Sequence, residues 1–204
     1  MKNYQFAYGK GSVTVPLDEG SVLAVLHGNE APAIEDIRAA LFESLAHPIG
    51  AKPLSETIPA GASVALVVSD MSRFWMRQDL VIPHLVSYLH EACGVSYEKL
   101  TIVVANGTHT GGDEKDLRTL VTDAVFEKVR VENHDCEAKD LVYLGTTAHD
   151  TPVFINHTVA TADVVVCLGA CTHHIMAGFG GGRKSILPGV SGLQTIRHNH
   201  AYSL

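Results

Sequence analysis

The sequence predicts an α/β protein, with a mainly parallel sheet flanked by helices and an N-terminal antiparallel β-hairpin. Three observations carry that expectation. From residue 63 onward, short uncharged runs rich in β-branched residues alternate with helix-length stretches, the grammar of strands covered on both faces. The first two runs end in polar clusters, Ser69-Asp70 and Asn106-Gly107-Thr108-His109, rather than in hairpin turns. Residues 4–8 and 12–16, by contrast, alternate around Gly9-Lys10-Gly11, which is a hairpin signature.

In order along the chain, residues 21–27 read as a short apolar strand after the hairpin. Residues 32–45 place Ile34, Ile37, Leu41 and Leu45 at helical spacing with acidic residues in the first turn. Pro53 and Pro59-Ala60-Gly61 then break the pattern. Residues 63–68 and 100–105 predict buried strands, and residues 78–92 and 113–128 predict helices. Residues 129–132, 141–144, 152–155 and 163–168 supply further strands. Residues 178–192 are Gly-rich, and 193–200 open a helix. The expected organisation is an N-terminal α/β catalytic and cofactor-binding domain over residues 1–192. Residues 193–204 are then the start of an interdomain helix leading to a C-terminal domain absent from this chain.

Composition narrows the function classes. A chain of 204 residues, 46% hydrophobic and 18% charged, can enclose a substantial core. Its net charge of -7 gives no electrostatic footprint for nucleic acid. No apolar run approaches the roughly 20 residues needed to cross a bilayer, and Met1-Lys2-Asn3-Tyr4 opens no apolar signal-like region. A cytoplasmic protein with neither a nucleic-acid nor a membrane partner is expected. Cys93, Cys136, Cys167 and Cys171 read as free thiols. The 12 histidines are spread along the chain, so only those in polar clusters are candidates for a role.

In open parallel sheets ligands sit beyond the carboxyl ends of the strands. Asp70, Arg73, His109, His173 and His174 are therefore expected on one rim. Arg73 offers a planar fork for a carboxylate, with Asp70 orienting it or bonding a cofactor hydroxyl; a plain Asp70–Arg73 ion pair is the simpler alternative. His109 and His174, on two loops, could flank one carbon and move protons at either face. His173 and His174 are adjacent and point apart in any regular structure, so one of them is structural. The run from Gly178 to Ser185 has the composition of a phosphate-binding loop, but a G-x4-G-K-[ST] pattern needs glycine where Arg183 stands. A looser phosphate nest remains open. His198 and His200 diverge if helical, and a single imidazole holds a metal poorly by itself.

Taken together, Ser69-Asp70-x-x-Arg73, Gly107-Thr108-His109, His174-x-x-Ala177-Gly178-Phe179-x-Gly181-Gly182-Arg183-Lys184, and Pro188-Gly189 followed by His200 resemble the N-terminal domain of the nickel-dependent lactate racemase family. The resemblance runs over the whole chain, and the Ala-Gly-Phe-x-Gly-Gly-Arg-Lys segment is its most specific part. It implies a nickel pincer nucleotide, a pyridinium mononucleotide carrying sulfur ligands, tethered through a thioamide to Lys184. His200 would be the protein ligand to nickel, with two sulfurs and a ring carbon of the cofactor as the other donors. Asp70, Gly178, Gly181 and Gly182 would form the cofactor bed, His109 and His174 the acid/base pair, and Arg73 the substrate-carboxylate site.

The implied reaction is racemisation or epimerisation of a small 2-hydroxycarboxylate such as lactate, by proton-coupled hydride transfer through a 2-keto acid. Cofactor maturation enzymes are implied partners. Phe74-Trp75 stand where the family usually has proline after the arginine, Gly180 where serine is common, and Asn106 where Thr or small residues are frequent; these departures bear on the substrate. A C-terminal half would supply a further substrate-contacting lysine, so the present part alone is expected to be inactive and without its cofactor. Two other readings remain: a nucleotide-phosphate hydrolase or transferase using the Gly-rich loop, or a non-catalytic nickel- or nucleotide-binding module.

Overall fold

Lys2–Tyr8 (β1) and Gly11–Leu17 (β2) form the expected antiparallel hairpin, in register from Lys2 opposite Leu17 to Tyr8 opposite Gly11. Gly9 takes φ +58°, the left-handed backbone that glycine adopts at little cost. The computed structural model describes residues 1–29 and 31–201, and the chain divides into two units, Met1–Glu35 and Asp36–Leu204. In the first unit the strand expected over residues 21–27 does not form. Glu19–Ser21 is one turn of 3-10 helix, residues 22–29 carry no regular structure, and Leu23 and Leu26 remain 101% and 92% exposed. An apolar run becomes a strand only against a partner edge and a face to bury, and among the described residues no strand pairs with this run.

The second unit opens with Ile37–Ala46 (α1), which starts at residue 37 rather than 32 because Asp36 caps it, accepting from the Ala39 amide at 2.8 Å. Leu54–Thr57 (α2) follows. Val64–Ser69 (β3) is the centre of a parallel sheet, and its residues Val64, Ala65, Leu66, Val67 and Val68 are each at most 1% exposed. Burial on both faces is what an uninterrupted apolar strand requires. Leu100–Ala105 (β4) pairs with it on one side, Arg130–Asn133 (β5) continues beyond β4, and Val164–Cys167 (β8) pairs on the other side, giving the order β5-β4-β3-β8.

Ile82–Glu91 (α3), Glu114–Val121 (α4) and Asp123–Phe126 (α5) supply helices of this unit. Leu85, Leu89, Leu117 and Leu120 pack with Val64, Leu66, Val68, Ile102 and Val104 on one face of the sheet. The opposite face, Ala65, Val67 and Val103, packs with Ile155, Val159 and Val190. The helix expected over residues 113–128 is two helices, broken where Thr122 takes φ +75°. Val142–Thr146 (β6) and Pro152–Ile155 (β7) form an antiparallel pair outside the parallel sheet. His157–Thr161 (α6) leads into β8. Beyond it come a two-rung ladder of His173–His174 (β9) with Gly178–Phe179 (β10), then Arg183–Ile186 (α7) and Leu193–Ala201 (α8). No described helix is long and apolar enough to cross a membrane.

From β3 the chain goes to β4 on one side, whereas β8 pairs on the other. That divergence is a topological switch point, where the loops leaving adjacent strands separate and leave a crevice at their carboxyl ends. The loop after β3 is closed by Gln78, which is 1% exposed. Its side-chain oxygen accepts from the Ser69 amide at 3.2 Å and its side-chain nitrogen donates to the Ser69 carbonyl at 2.6 Å. Replacing Gln78 with alanine strands a partly buried amide and carbonyl, so Gln78→Ala is expected to cost about 2 kcal/mol, a fall in Tm of roughly 4–8 °C in a thermal melt.

Candidate active site

Three loops meet at the crevice. After β3, Asp70 is 9% exposed and precedes a 3-10 turn, Met71–Met76. Its side chain does not cap that turn. One carboxylate oxygen instead accepts from the Ser72 hydroxyl at 2.6 Å, and the other accepts from His109 Nδ1 at 2.5 Å. Ser72 Oγ in turn accepts from an Arg73 guanidinium nitrogen at 2.9 Å. Arg73, Ser72, Asp70 and His109 thus form one hydrogen-bonded chain, and Asp70 reaches Arg73 through Ser72 rather than by a direct ion pair.

The loop after β4 is held from beneath. Asn106 is 2% exposed and its amide nitrogen donates to Asn133 Oδ1 and to the His134 carbonyl, both at 3.1 Å. The His109 amide donates to the Asn106 carbonyl at 2.9 Å and closes a tight turn. Gly107, at φ +56°, donates its amide to the Gly189 carbonyl at 2.9 Å, which joins this loop to the segment after α7. His134 is buried behind it, donating Nε2–H to the Ser191 carbonyl at 2.9 Å, and burial pushes its pKa down.

The third loop, after β8, carries His174 at the end of β9. His174 Nδ1 accepts from the backbone amides of Met176 and Ala177, at 3.3 and 3.1 Å, so the imidazole itself closes the turn to β10. His173 points elsewhere and packs against Phe179, ring centroids 5.2 Å apart. His173, expected on the same rim, is exposed and does not line the cavity. Gly181 lies directly against this loop: a Cβ there would sit 2.9 Å from the Ala170 carbonyl oxygen. Gly189 is tighter, since a Cβ would come within 2.2 Å of the Ser185 carbonyl oxygen. These two positions admit only glycine, and they fix Lys184 between them.

Asp70, Arg73, His109, His174, Gly181 and Lys184 all line one cavity of about 170 Å³, the size of a small organic acid rather than a polymer. Two further expected residues lie beside it: Gly178 pairs with His174 in the ladder, and Gly182 precedes α7. His200 is on α8 and is not among the residues that line the cavity. Its Nδ1 donates to the Ile196 carbonyl at 2.9 Å, which leaves Nε2 as the ring's acceptor nitrogen. His198 diverges from it, with Nδ1 3.2 Å from Thr151 Oγ1.

Trp75, which the sequence already tied to the substrate pocket, is part of the cavity wall; Met76 and Thr172 as wall, and Ser72 and Gln78 as supports, were passed over. A hydroxyl between an aspartate and an arginine in Ser69-Asp70-Met71-Ser72-Arg73 was the available signal for Ser72. Gln78 left no local signal.

The cavity is cationic on one wall. Burial lowers the pKa of Lys184, and the neighbouring Arg73 charge lowers it further. Lys184 therefore carries more free amine near neutrality than an ordinary lysine does, which is the state that attacks an activated carbonyl or thiocarbonyl. The phosphate-loop alternative gains nothing here, because the Lys184 and Ser185 amides are already given to the Gly181 and Gly182 carbonyls, each at 3.0 Å. Among the described residues no group of three or more His, Cys, Asp or Glu is arranged to hold a metal.

The family model for the lactate racemase N-terminal domain matches residues 8–204. The chain is 27% identical to the lactate racemase of Thermoanaerobacterium thermosaccharolyticum, across 98% of this chain and 47% of that protein. It is 25% identical to the lactate racemase of Lactiplantibacillus plantarum, across 95% of this chain and 46% of that protein. A solved structure of the lactate racemase apoprotein from T. thermosaccharolyticum superposes with a TM-score of 0.85 at 25% identity, covering 98% of this chain and 46% of that one. The chain thus spans about half the length of the relatives it matches.

In the full-length apoprotein, competitive amine labelling read by mass spectrometry over a pH series should find Lys184 reacting at lower pH than the exposed lysines. Arg73→Gln removes one of the two causes and should move the Lys184 onset to higher pH.

Proposed function

This chain belongs to the lactate racemase N-terminal domain family, and we propose that the protein it forms part of racemises or epimerises a small 2-hydroxycarboxylate, lactate or a close relative. The observation that carries the reading is the single small cavity into which two imidazoles, His109 and His174, project from different loops beside Arg73 and Lys184. An arginine fork suits a carboxylate. Two imidazoles approaching from separate loops suit an oxygen that must be deprotonated in one enantiomer and reprotonated in the other.

Racemisation also requires the α-hydrogen to leave and return, and a 2-hydroxycarboxylate holds that hydrogen too firmly for imidazole to remove as a proton. The residues present fit the nickel pincer nucleotide that the family resemblance implies. Lys184 is the half-buried amine with a lowered pKa that a thioamide tether needs; Gly181 lets the chain before it close against Ala170, and the space a side chain would take at Gly178 and Gly182 is open. His200 Nε2 is an available imidazole donor, one that needs its other donors from the tethered group. When bound, that group supplies a hydride acceptor and donor. The chain's own residues do the rest: Arg73 binds the carboxylate, His109 Nε2 takes the hydroxyl proton, and His174 presents Nε2–H to substrate oxygen. Asp70 acts from behind His109 rather than in the cofactor bed.

We further assign residues 1–192 to the catalytic and cofactor-binding domain. We assign α8, within residues 193–204, of which 202–204 lie outside the described residues, to the start of a connection to a C-terminal domain that completes the cleft. The cofactor maturation enzymes are the remaining partners.

Full-length protein produced with maturation enzymes should interconvert D- and L-lactate or a related 2-hydroxy acid in a chiral assay, and carry a mass adduct on Lys184. Lys184→Ala should lose adduct and activity together. His109→Gln and His174→Gln should each lower kcat by about 10²-fold or more. Racemisation by a protein with unmodified Lys184, or retained in both histidine variants, would overturn the reading.

A further inference from the structure

We infer that Asp70 is a positioning residue acting through His109, and that the two cavity imidazoles are built in opposite tautomers. The inference rests on the racemase reading for its consequence but not for its geometry. An ionised carboxylate only accepts hydrogen bonds, so the 2.5 Å contact of Asp70 with His109 Nδ1 requires the hydrogen on Nδ1 and leaves Nε2 with a bare lone pair. At His174 the constraint is reversed. Two backbone N–H groups point at Nδ1, and an N–H only donates, so Nδ1 must be the acceptor and Nε2 must carry the hydrogen.

Neither assignment depends on the other, and the supports differ in kind. Asp70 is itself held by the Ser72 hydroxyl at 2.6 Å and sits at the end of β3, whose loop Gln78 clamps. His174 is held by its own hairpin, the β9–β10 turn, whose residues Ile175 and Met176 are 100% and 49% exposed. The rigid support therefore belongs to the imidazole with the bare lone pair, and the deformable one to the imidazole that carries N–H.

The pair is then not symmetric at rest. His109 can accept a hydroxyl proton as it stands, whereas His174 can only donate to oxygen until its turn opens or its hydrogen moves. An enantiomer whose hydroxyl faces His109 enters the reaction directly, and the mirror substrate must first release Nδ1 of His174 from Met176 and Ala177. Racemisation has an equilibrium constant of one, so kcat/KM for the two enantiomers must be equal. The asymmetry has to appear as kcat and KM differing between enantiomers by the same factor.

The first test is independent of turnover. In full-length apoprotein with 15N-labelled histidine, two-bond nitrogen–proton spectra should show the Nδ1–H tautomer at His109 and the Nε2–H tautomer at His174, the signals identified by loss in His109→Gln and His174→Gln. Asp70→Asn should convert His109 to mixed or reversed tautomers without moving the His174 pattern. In the holoenzyme, Asp70→Asn should lower kcat on the order of 10²-fold with KM changed far less, and Asp70→Glu should recover part of the loss. An Nε2–H signal at His109, or an Asp70→Asn protein with unchanged tautomer and kcat, overturns the inference. Tautomers as assigned in a protein that racemises no 2-hydroxy acid would sink the function and leave the positioning role standing.

Discussion

The site depends on one constraint, the parallel pairing of β3 with neighbours that the chain reaches in opposite directions. Strands that run the same way must deliver all their carboxyl ends to one edge. Because β4 and β8 flank β3 on opposite sides, the loops that follow must part above it. The sequence places its polar clusters at those ends, so the fully buried strand carries Asp70 at its exit, and β4 and β8 bring His109 and His174 to the same opening. Burial of the sheet and convergence of the site are consequences of one arrangement.

Geometry alone would leave these loops slack, since connecting segments are the least fixed parts of most folds. Here each loop is tied by polar groups that lie under it. Gln78 pairs both main-chain groups of Ser69, Asn106 spans to Asn133 and His134, and Gly107 is bonded to Gly189. The last tie matters most for Lys184, because Gly189 also packs where no side chain fits against Ser185. The lysine is held by backbone on both sides. Substitution at these supports should loosen the geometry of the cavity, which Asn106, Gly107 and Gly189 also line.

Much of this was legible before the structure. Short apolar runs rich in β-branched residues alternating with helices named the fold, and of the residues expected on the rim Asp70, Arg73, His109 and His174 share one cavity, with Lys184, whereas His173 does not line it. What was misread has common physical causes. The run at 21–27 has strand-like composition but no partner edge, and pairing is a tertiary property. The helix at 113–128 has continuous amphipathic character, yet Thr122 at φ +75° breaks it, a backbone state that threonine composition does not announce. Residues 142–155 fold back on themselves instead of joining the sheet, because periodicity gives a strand but not its neighbour. The expectation that Asp70 orients Arg73 is met through Ser72, whereas its bond to His109 spans 39 residues and only the fold reveals it.

Under the proposed function, the charges in the cavity bear on how a tether and a substrate would share it. Burial disfavours the charged form of Lys184, and the nearby Arg73 cation adds to that penalty. A free ammonium at Lys184 would compete with Arg73 for the substrate carboxylate and fix it in the wrong place. Under the proposed function, conversion of Nζ to a thioamide removes that charge permanently and ends the repulsion. Arg73 is then the cation the cavity retains among these two, at the end of the chain that runs through Ser72 and Asp70 to His109. The crowding that lowers the Lys184 pKa would thus be relieved by the proposed modification. The same step leaves one carboxylate-binding group joined through two side chains to one proton acceptor.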